Sequence, residues 1–340
     1  GVQTCALPIS PMRKIETKVL KALPSVSGSI EAILASQPGV VTNNELSSQY
    51  SVRGGNFDEN LVYVNDIEVY RPFLIRSSQQ EGLSFTNSDL VESVTFSAGG
   101  FEAKYGDKMS SVLDITYRKP RNFGGSFSAS LLGGSFHIED ASKTHRFTQI
   151  HGVRYKTNKY ILGSLDTKGQ YQPSFTDYQG YFTYDVTDKL ELSFLGNISR
   201  NKYQLIPETQ QSRFGDVNQA LQLTVYFEGQ EVDEYLTVFN ALSANYKPNK
   251  NLALKFTSSF FRTLESETYD ILGQYWLDEL ERDLSSENFG DIAFNRGVGT
   301  FLNHGRNFLD AYIFNTQHRG VLYKGKTTFL WGGKFQQEFV

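Results

Sequence analysis

The chain has 340 residues and a formal net charge of −4, from 33 basic and 37 acidic side chains. Without a basic excess it has no charge with which to hold a phosphate backbone, so nucleic acid is not expected as a partner. Apolar residues make up 39%, and no run approaches the roughly 18 apolar residues of a spanning helix, which excludes a helical membrane protein. The 26 Phe, 19 Tyr and 29 Gly fit either a polar-lined β-barrel or a soluble β-sandwich.

The first sixteen residues are set apart from the fold prediction. Residues 1–10, GVQTCALPIS, differ in character from the rest of the chain and resemble a translated sequencing adapter, so we treat them as non-native and expect the natural N-terminus to be missing. They contain the single cysteine, Cys5, so neither a disulfide nor a cysteine metal cluster is expected.

Residues 17–120 predict a small α+β domain. Ser27 or Ser29 can cap a short helix, which the sequence QPGV at 37–40 ends. The apolar face of this helix is Ile30, Ile33 and Leu34. Short strands are predicted in YSVRG, LVYVND, IEVYR, VESVTFSAG and SSVLDITYR.

Residues 121–340 change to long segments in which apolar and polar residues alternate. Alternation over about ten residues is the signal of a strand, and that length suits a tilted membrane strand. Nine strands of an antiparallel up-and-down barrel are predicted, near 124–134, 147–156, 159–166, 176–187, 189–201, 235–247, 251–264, 307–322 and 326–339.

The connections between these strands alternate in length. Tight turns are predicted at 156–159, 186–190, 247–251 and 323–327, and longer links at 135–146, 167–175, 202–234 and 265–306. In an up-and-down barrel every second connection lies at the same end, so one end should carry short turns and the other long loops, as in outer-membrane barrels. A sandwich with Greek-key links has no reason to keep this alternation.

The alternation also assigns each residue to one face of the barrel. The residues predicted to face lipid are Leu190, Leu192, Phe194, Leu252, Leu254, Phe256, Phe329 and Trp331. Those predicted to face the lumen are Glu191, Ser193, Lys255 and Thr257.

No motif in the sequence calls for catalysis. The five His lack metal-site spacing, and neither a phosphate loop nor a nucleophile elbow is present. The acidic segments 228–234 and 277–283 lie in predicted loops and are interpreted as solvated faces, with a site for a cation or basic ligand as the alternative. We therefore expect no enzyme activity, no metal and no cofactor.

Three separated blocks within residues 17–120 resemble, in order and spacing, the plug domain of TonB-dependent outer-membrane receptors, most of all the branch common in Bacteroidota. The blocks are LKALPSVSGSIEAILASQPGVV, SVRGGNFDENLVYVNDIEVYRP and NSDLVESVTFSAGGFEAKYGDKMSSVLDITYRKP. The positions that match the plug signature are Arg53, Gly54, Gly55, Asn65, Asp66, Tyr105 and Gly106. Many family members have Asp-Gly where this chain has Asn65-Asp66, so that hairpin is expected to differ.

The resemblance implies an energy-coupled receptor of the Gram-negative outer membrane, with TonB and membrane lipid as partners. Its ligand would be a scarce or large nutrient of the iron-siderophore, cobalamin, oligosaccharide or peptide class, which the sequence does not identify. No TonB box is recognisable. A family barrel of about 22 strands needs roughly 540 residues at about 24 per strand, so the sequence is expected to be a fragment.

The resemblance also implies a lock between plug and barrel. In the family, the Arg of the Arg-Gly turn belongs to a charged lock against barrel Glu residues, and Arg53 matches that position. Glu191 is the candidate partner because its side chain should face the lumen. Gly54 and Gly55 are expected to let the plug backbone pass close to the barrel wall.

A second interpretation stays open. A secreted or periplasmic β-rich protein that binds or acts on carbohydrate, with an α+β module, would share much of this composition. The alternation of loop lengths and the three plug blocks favour the receptor.

Overall fold

The computed structural model describes residues 12–16, 30–42, 49–70, 83–102, 104–106, 108–162, 169–216 and 219–340. Its N-terminal part contains, in chain order, β1 (Met12–Glu16), α1 (Ile30–Leu34), β2 (Val40–Val41), β3 (Ser51–Val52), β4 (Asn60–Val64), β5 (Ile67–Glu68), β6 (Val91–Ser97) and β7 (Ser111–Tyr117). One sheet has the order β1-β6-β7-β4-β5, and β2 pairs with β3 apart from it. This is the predicted small α+β domain.

The centre of the domain is the parallel pair of β4 and β7. All five residues of β4 are buried, which is the pattern of a strand covered on both faces. The predicted apolar face of α1 is confirmed, since Ile30, Ile33 and Leu34 are all buried in the core. Ser27 and Ser29 lie outside the described residues. All five residues of β1 pair with β6, so the sheet begins at Met12, before the boundary at residue 17 that the sequence suggested.

Residues 121–340 form an antiparallel sheet, called the wall below. Its strands are β8 (Gly124–Ser130), β9 (Gly133–Ala141), β10 (Phe147–Thr157), β11 (Gly169–Tyr171), β12 (Ser174–Thr187), β13 (Leu190–Pro207), β14 (Gln210–Gly215), β15 (Ala220–Asn249), β16 (Leu252–Leu280), β17 (Ile292–Lys324) and β18 (Thr327–Phe339). Nine of them pair in simple succession from β8 to β18, while the short β11 and β14 pair beside β13 and β15. The predicted up-and-down order and the number of nine strands are confirmed.

Two of the nine predicted strands do not occur as single strands. The segment 124–134 is split into β8 and β9 by a turn at 131–132, and because both turn residues are leucines the sequence carries no turn signal there. The predicted strand 159–166 is wrong where it is described, since Lys159–Leu162 forms a short helix, α2.

Most of the predicted long loops are also wrong. The links 202–234 and 265–306 are largely strand, because β15, β16 and β17 run for 30, 29 and 33 residues. Polar residues occupy most positions of both faces over 228–234 and 265–270, so the hydrophobic alternation is interrupted there while the backbone ladder continues. The link 135–146 contains most of β9.

The connections at one end of the wall are short. The turns at 188–189, 250–251 and 325–326 lie at this end, together with the link 142–146. The predicted tight turn at 156–159 belongs to the opposite end, where β10 finishes. Three of the four predicted turns therefore share an end, and the fourth was misplaced by the false strand that came after it.

Alternation along the wall strands separates two faces. Leu192, Phe194, Phe256, Phe329 and Trp331 are exposed on the outward face, as predicted. Ser193 and Thr257 are buried on the inward face, against which the N-terminal domain lies. In the described part of the chain, no helix is long and apolar enough to cross a membrane.

Candidate functional site

The N-terminal domain shares one apolar core with the wall. The wall residues in this core, all buried, are Ile150, Tyr181, Leu195, Phe239, Ala241 and Phe261. They occupy two adjacent inward rows of the sheet, since Ile150 pairs in register with Tyr181 and Phe239 with Phe261. Phe239 meets Phe85 of the domain edge to face, with ring centroids 5.3 Å apart. Removing this surface from water on both sides holds the domain against the wall.

The domain approaches the wall closely at a wall glycine. A Cβ added to Gly152 of β10 would lie 2.4 Å from Nδ2 of Asn87 and 3.1 Å from Cδ2 of Leu90. Asn87 caps a one-turn 3₁₀ helix, Ser88–Leu90, by accepting a hydrogen bond from the backbone N–H of Asp89. The absence of a side chain at Gly152 therefore creates the space that this turn occupies.

Beside Gly152, the wall binds three consecutive backbone carbonyls of the domain. Arg154 donates to the carbonyl of Thr86 at 2.7 Å and to that of Ser84 at 2.9 Å, and Gln179 donates to that of Phe85. Asp177 on the neighbouring strand balances the charge of Arg154 through an ion pair. We call this arrangement the carbonyl clamp, with Arg154, Asp177 and Gln179 as its wall residues. Only 12% of the Arg154 side chain and 3% of the Asp177 side chain are exposed.

A second set of contacts captures the turn between β4 and β5, which we call the tip hairpin, residues Asn65 and Asp66. Lys255 Nζ donates to the carbonyl of Asn65 at 2.7 Å and to Oδ2 of Asp66 at 2.6 Å. Arg319 lies 3.5 Å from Oδ1 of Asp66, and Gln317 donates to the Asp66 carbonyl at 2.9 Å. All three wall residues point inward from β16 and β17.

The contacts continue along the chain after the tip hairpin. Lys334 of β18 forms an ion pair with Glu68 at 2.6 Å. The hydroxyl of Tyr70 donates to Gln336 at 2.7 Å and accepts a hydrogen bond from Asn315. One side of the domain is thus bound by β16, β17 and β18, while the carbonyl clamp on β10 and β12 binds another.

The charges at the tip hairpin shift the titration of its carboxylate. Burial raises the pKa of Asp66, but the charge and hydrogen bond of Lys255 and the charge of Arg319 outweigh burial and hold this pKa below its ordinary value. Nearby, burial raises the pKa of Asp114, although Tyr105 donates a hydrogen bond to it at 2.6 Å. The ionised form is therefore favoured at the wall and disfavoured inside the domain.

The structure does not bring the predicted lock residues Arg53 and Glu191 together. Glu191 pairs with Lys119, in the segment that leads into β8, and accepts a hydrogen bond from Asn245 at 3.1 Å. Arg53 is exposed at the turn after β3, where its N–H donates to the carbonyl of Gly39 at 2.8 Å. Its side chain lines a cavity of about 320 Å³ together with Arg13, Gln37, Pro38, Phe96, Ala98, Gly99 and Gly100.

The glycines of the Arg-Gly-Gly turn act inside the domain rather than at the wall, which corrects the prediction. Gly54 has a φ of +83°, a conformation that glycine adopts without strain. A Cβ on Gly55 would lie 1.7 Å from Oγ of Ser110, so the close approach is to the residue just before β7. Tyr105 is buried against Asp114, and Gly106 borders open space.

Sequence reasoning missed most of the basic residues that hold the domain. Lys255 was assigned correctly to the inward face, but Arg154, Arg319 and Lys334 were not singled out. Each is a charged residue at an inward position of an alternating strand, which is the signal that could have found them. Among the residues that the structure describes, no group of His, Cys, Asp or Glu could hold a metal ion.

Comparisons with known proteins agree with the architecture of the N-terminal part. Residues 10–112 match the family model of the TonB-dependent Receptor Plug Domain. The predicted combination of a plug domain with antiparallel up-and-down strands of a partial barrel is therefore confirmed. A search of curated proteins finds no match.

Several solved structures are similar to the chain at low identity. The siderophore receptor PirA from Acinetobacter baumannii has 14% identity and a TM-score of 0.48, over 97% of this chain and 57% of that one. A mutant of the ferric enterobactin receptor PfeA from Pseudomonas aeruginosa has 13% identity and a TM-score of 0.46, over 97% and 57%. The outer membrane transporter YddB from Escherichia coli has 11% identity and a TM-score of 0.44, over 96% and 56%. The chain spans a little over half the length of these proteins.

Proposed function

We propose that this chain is part of a TonB-dependent receptor of the Gram-negative outer membrane, of the Bacteroidota branch, which takes up a large or scarce nutrient. The observation that carries the proposal is a plug domain seated on the inward face of an up-and-down sheet. A barrel wide enough for such a plug would be an open hole without it. Uptake through it therefore requires the plug to yield, and TonB is the partner that supplies the work.

The outward face of the wall supports a position in a membrane. On β16 the outward residues from Leu252 to Phe260 are apolar except for one Ser, and the first charged one is Arg262, which pairs with Asp310 at 2.7 Å. On β13 the apolar stretch ends likewise at Arg200, which pairs with Glu234 at 2.9 Å. Nine strand residues at the usual tilt span about 20–25 Å, which is close to the apolar band of an outer-membrane barrel.

The ligand class stays open among iron-siderophore, cobalamin, oligosaccharide and peptide. The ligands after which PirA and PfeA are described belong to those proteins, and the low identity gives no ground for transferring them. Contact with an extracellular ligand is expected above the plug, where β15, β16 and β17 extend beyond the apolar band.

Uptake measurements test the proposal. A strain that lacks the full-length gene should fail to grow on, and to accumulate, one labelled nutrient of these classes, and loss of TonB should abolish uptake in the same way. The protein should fractionate with the outer membrane. Recovery as a soluble periplasmic or secreted protein that binds carbohydrate would instead support the alternative.

A further inference from the structure

We propose that Asp66 latches the closed plug to the wall, with Lys255 and Arg319 as its receivers. The inference rests on the proposed function, because a latch matters only in a plug that moves. This contact has the opposite polarity to the predicted lock of Arg53 and Glu191, because its acidic residue lies on the plug and its basic residues lie on the wall.

The backbone of the tip hairpin shows that Asp66 does not stabilise the turn. Asn65 and Asp66 have φ values of +53° and +65°, the two left-handed positions of a tight hairpin, where Gly is the least strained residue at the second position. Non-glycine residues persist in this conformation where the surroundings hold them. Asn65 suits the turn, because its Oδ1 accepts a hydrogen bond from the N–H of Tyr117 at 2.9 Å.

The side chain of Asp66 contacts the wall instead. Among the described residues, its two carboxylate oxygens contact Lys255 and Arg319 and form no hydrogen bond to the plug. Its backbone carbonyl is also bound by the wall, through Gln317. A residue that adds strain to its own hairpin and directs its charge to another domain fits a role in holding the two together.

The wall presents a matching receiver. Lys255 and Arg319 stand directly opposite each other in the register of β16 and β17, so two positive charges lie side by side. Their side chains are 19% and 21% exposed, and Asp66 lies between their charged groups. Withdrawal of the plug would leave the two cations facing each other, which favours the docked state.

The test measures leakage in the full-length protein reconstituted in liposomes loaded with potassium ions. Asp66→Gly removes the carboxylate and relieves the hairpin, so it should raise the leak about tenfold while leaving the thermal unfolding temperature unchanged or higher. Asp66→Asn should raise the leak as well, and Asp66→Glu should restore most of the seal. Asp58→Asn, at an exposed plug carboxylate with no ion pair to the described part of the wall, is the matched control and should leave the leak unchanged.

A double-mutant cycle assigns the partner. If Asp66 acts through Lys255, Asp66→Asn should add little to the leak of Lys255→Met. Additive leaks, or a wild-type leak in Asp66→Gly, would overturn the latch. The assay needs neither TonB nor a nutrient, so its outcome is separate from that of the uptake test. TonB-dependent uptake with a wild-type leak in Asp66→Gly refutes only the latch.

Discussion

Single residues decide how closely plug and wall approach, and Gly152 is the clearest case. Gly152→Ala should displace Asn87 from its capping position, because the new Cβ would lie within 2.4 Å of the Asn87 amide. The loss of that cap should cost about 1 kcal/mol. Thermal unfolding of the full-length protein would measure it. Gly333→Ala, with no atom within 4 Å of its added Cβ, is the control and should cost less.

The titration of Asp66 gives the latch a defined pH dependence. The docked pKa lies below the ordinary value of about 3.9, because Lys255, Arg319 and the more distant Lys104 favour the anion. The latch is therefore complete above about pH 4 and is lost as the pH falls through the lower docked pKa. Leakage should stay level from about pH 8 to pH 5 and rise below about pH 4. Asp114, whose pKa is raised, takes up its proton first.

Liposomes at graded pH would show this dependence, with Asp66→Asn as the comparison. That variant should leak at every pH and lose the rise attributable to Asp66. A wild-type leak that already rises near the ordinary pKa of histidine, about 6.5, would point to a different group.

Arg53 remains a candidate for a separate contact that holds the plug. Replacing it measures how much that contact contributes to the seal against potassium ions. Its guanidinium lines an open cavity and has no ion pair with the described wall, so Arg53→Ala should raise the potassium leak less than Asp66→Gly does. A larger leak in Arg53→Ala would restore the Arg-Gly turn as the main lock.

Among the elements, the wall strands show what the sequence could predict. The half of each strand nearest the short turns alternates apolar and polar residues, because one side is apolar and the other meets the plug, and there the faces were predicted correctly. Beyond the apolar band, residues 228–234 of β15 and 265–270 of β16 are mostly polar on both faces, so their hydropathy does not distinguish a strand from a loop. Which inward residues contact the plug depends on the register between distant strands, which no local pattern contains.

The boundary of the outward apolar band is testable on one strand. Leu242 and Gln230 both face outward from β15, the first within the band and the second beyond the pair Arg200–Glu234. Leu242→Arg should destabilise folding into bilayers by about 2–4 kcal/mol and Gln230→Arg by about 0–1 kcal/mol. Equal costs would contradict the placement. The lumenal position predicted for Thr257 suggests that Thr257→Arg would be tolerated. It is unsuitable as a control, because Thr257 is buried at the plug.

On the scale of the whole molecule, the plug is held by an apolar core flanked by two polar attachments. The carbonyl clamp is the more deeply buried attachment. Arg154→Met should leave the Asp177 carboxylate buried without its partner and release two plug carbonyls. Breaking one partner of a buried pair costs about 3–5 kcal/mol.

Chemical denaturation of the full-length protein would measure this cost. Arg146→Met is the matched control, since Arg146 and Asp188 form an exposed pair with 57% and 97% of their side chains in solvent. It should change stability by less than about 0.5 kcal/mol. Similar losses in both variants would show that the clamp does not hold the plug.

The apolar rows that the wall contributes to the shared core also determine where water could cover the inner surface of the barrel after the plug moves. With the plug displaced, Ile150, Tyr181, Leu195, Phe239 and Phe261 would form a non-wetting stripe along the inner surface. The row that contains Ser193, Ser243 and Thr257 is hydroxylic and would carry a continuous film of water. These rows run across the strands, so an ion that crosses the open passage on this side has to pass the apolar stripe, and the single-channel conductance should be below that of a uniformly polar pore of equal width. Phe239→Ser and Phe261→Ser together should raise that conductance.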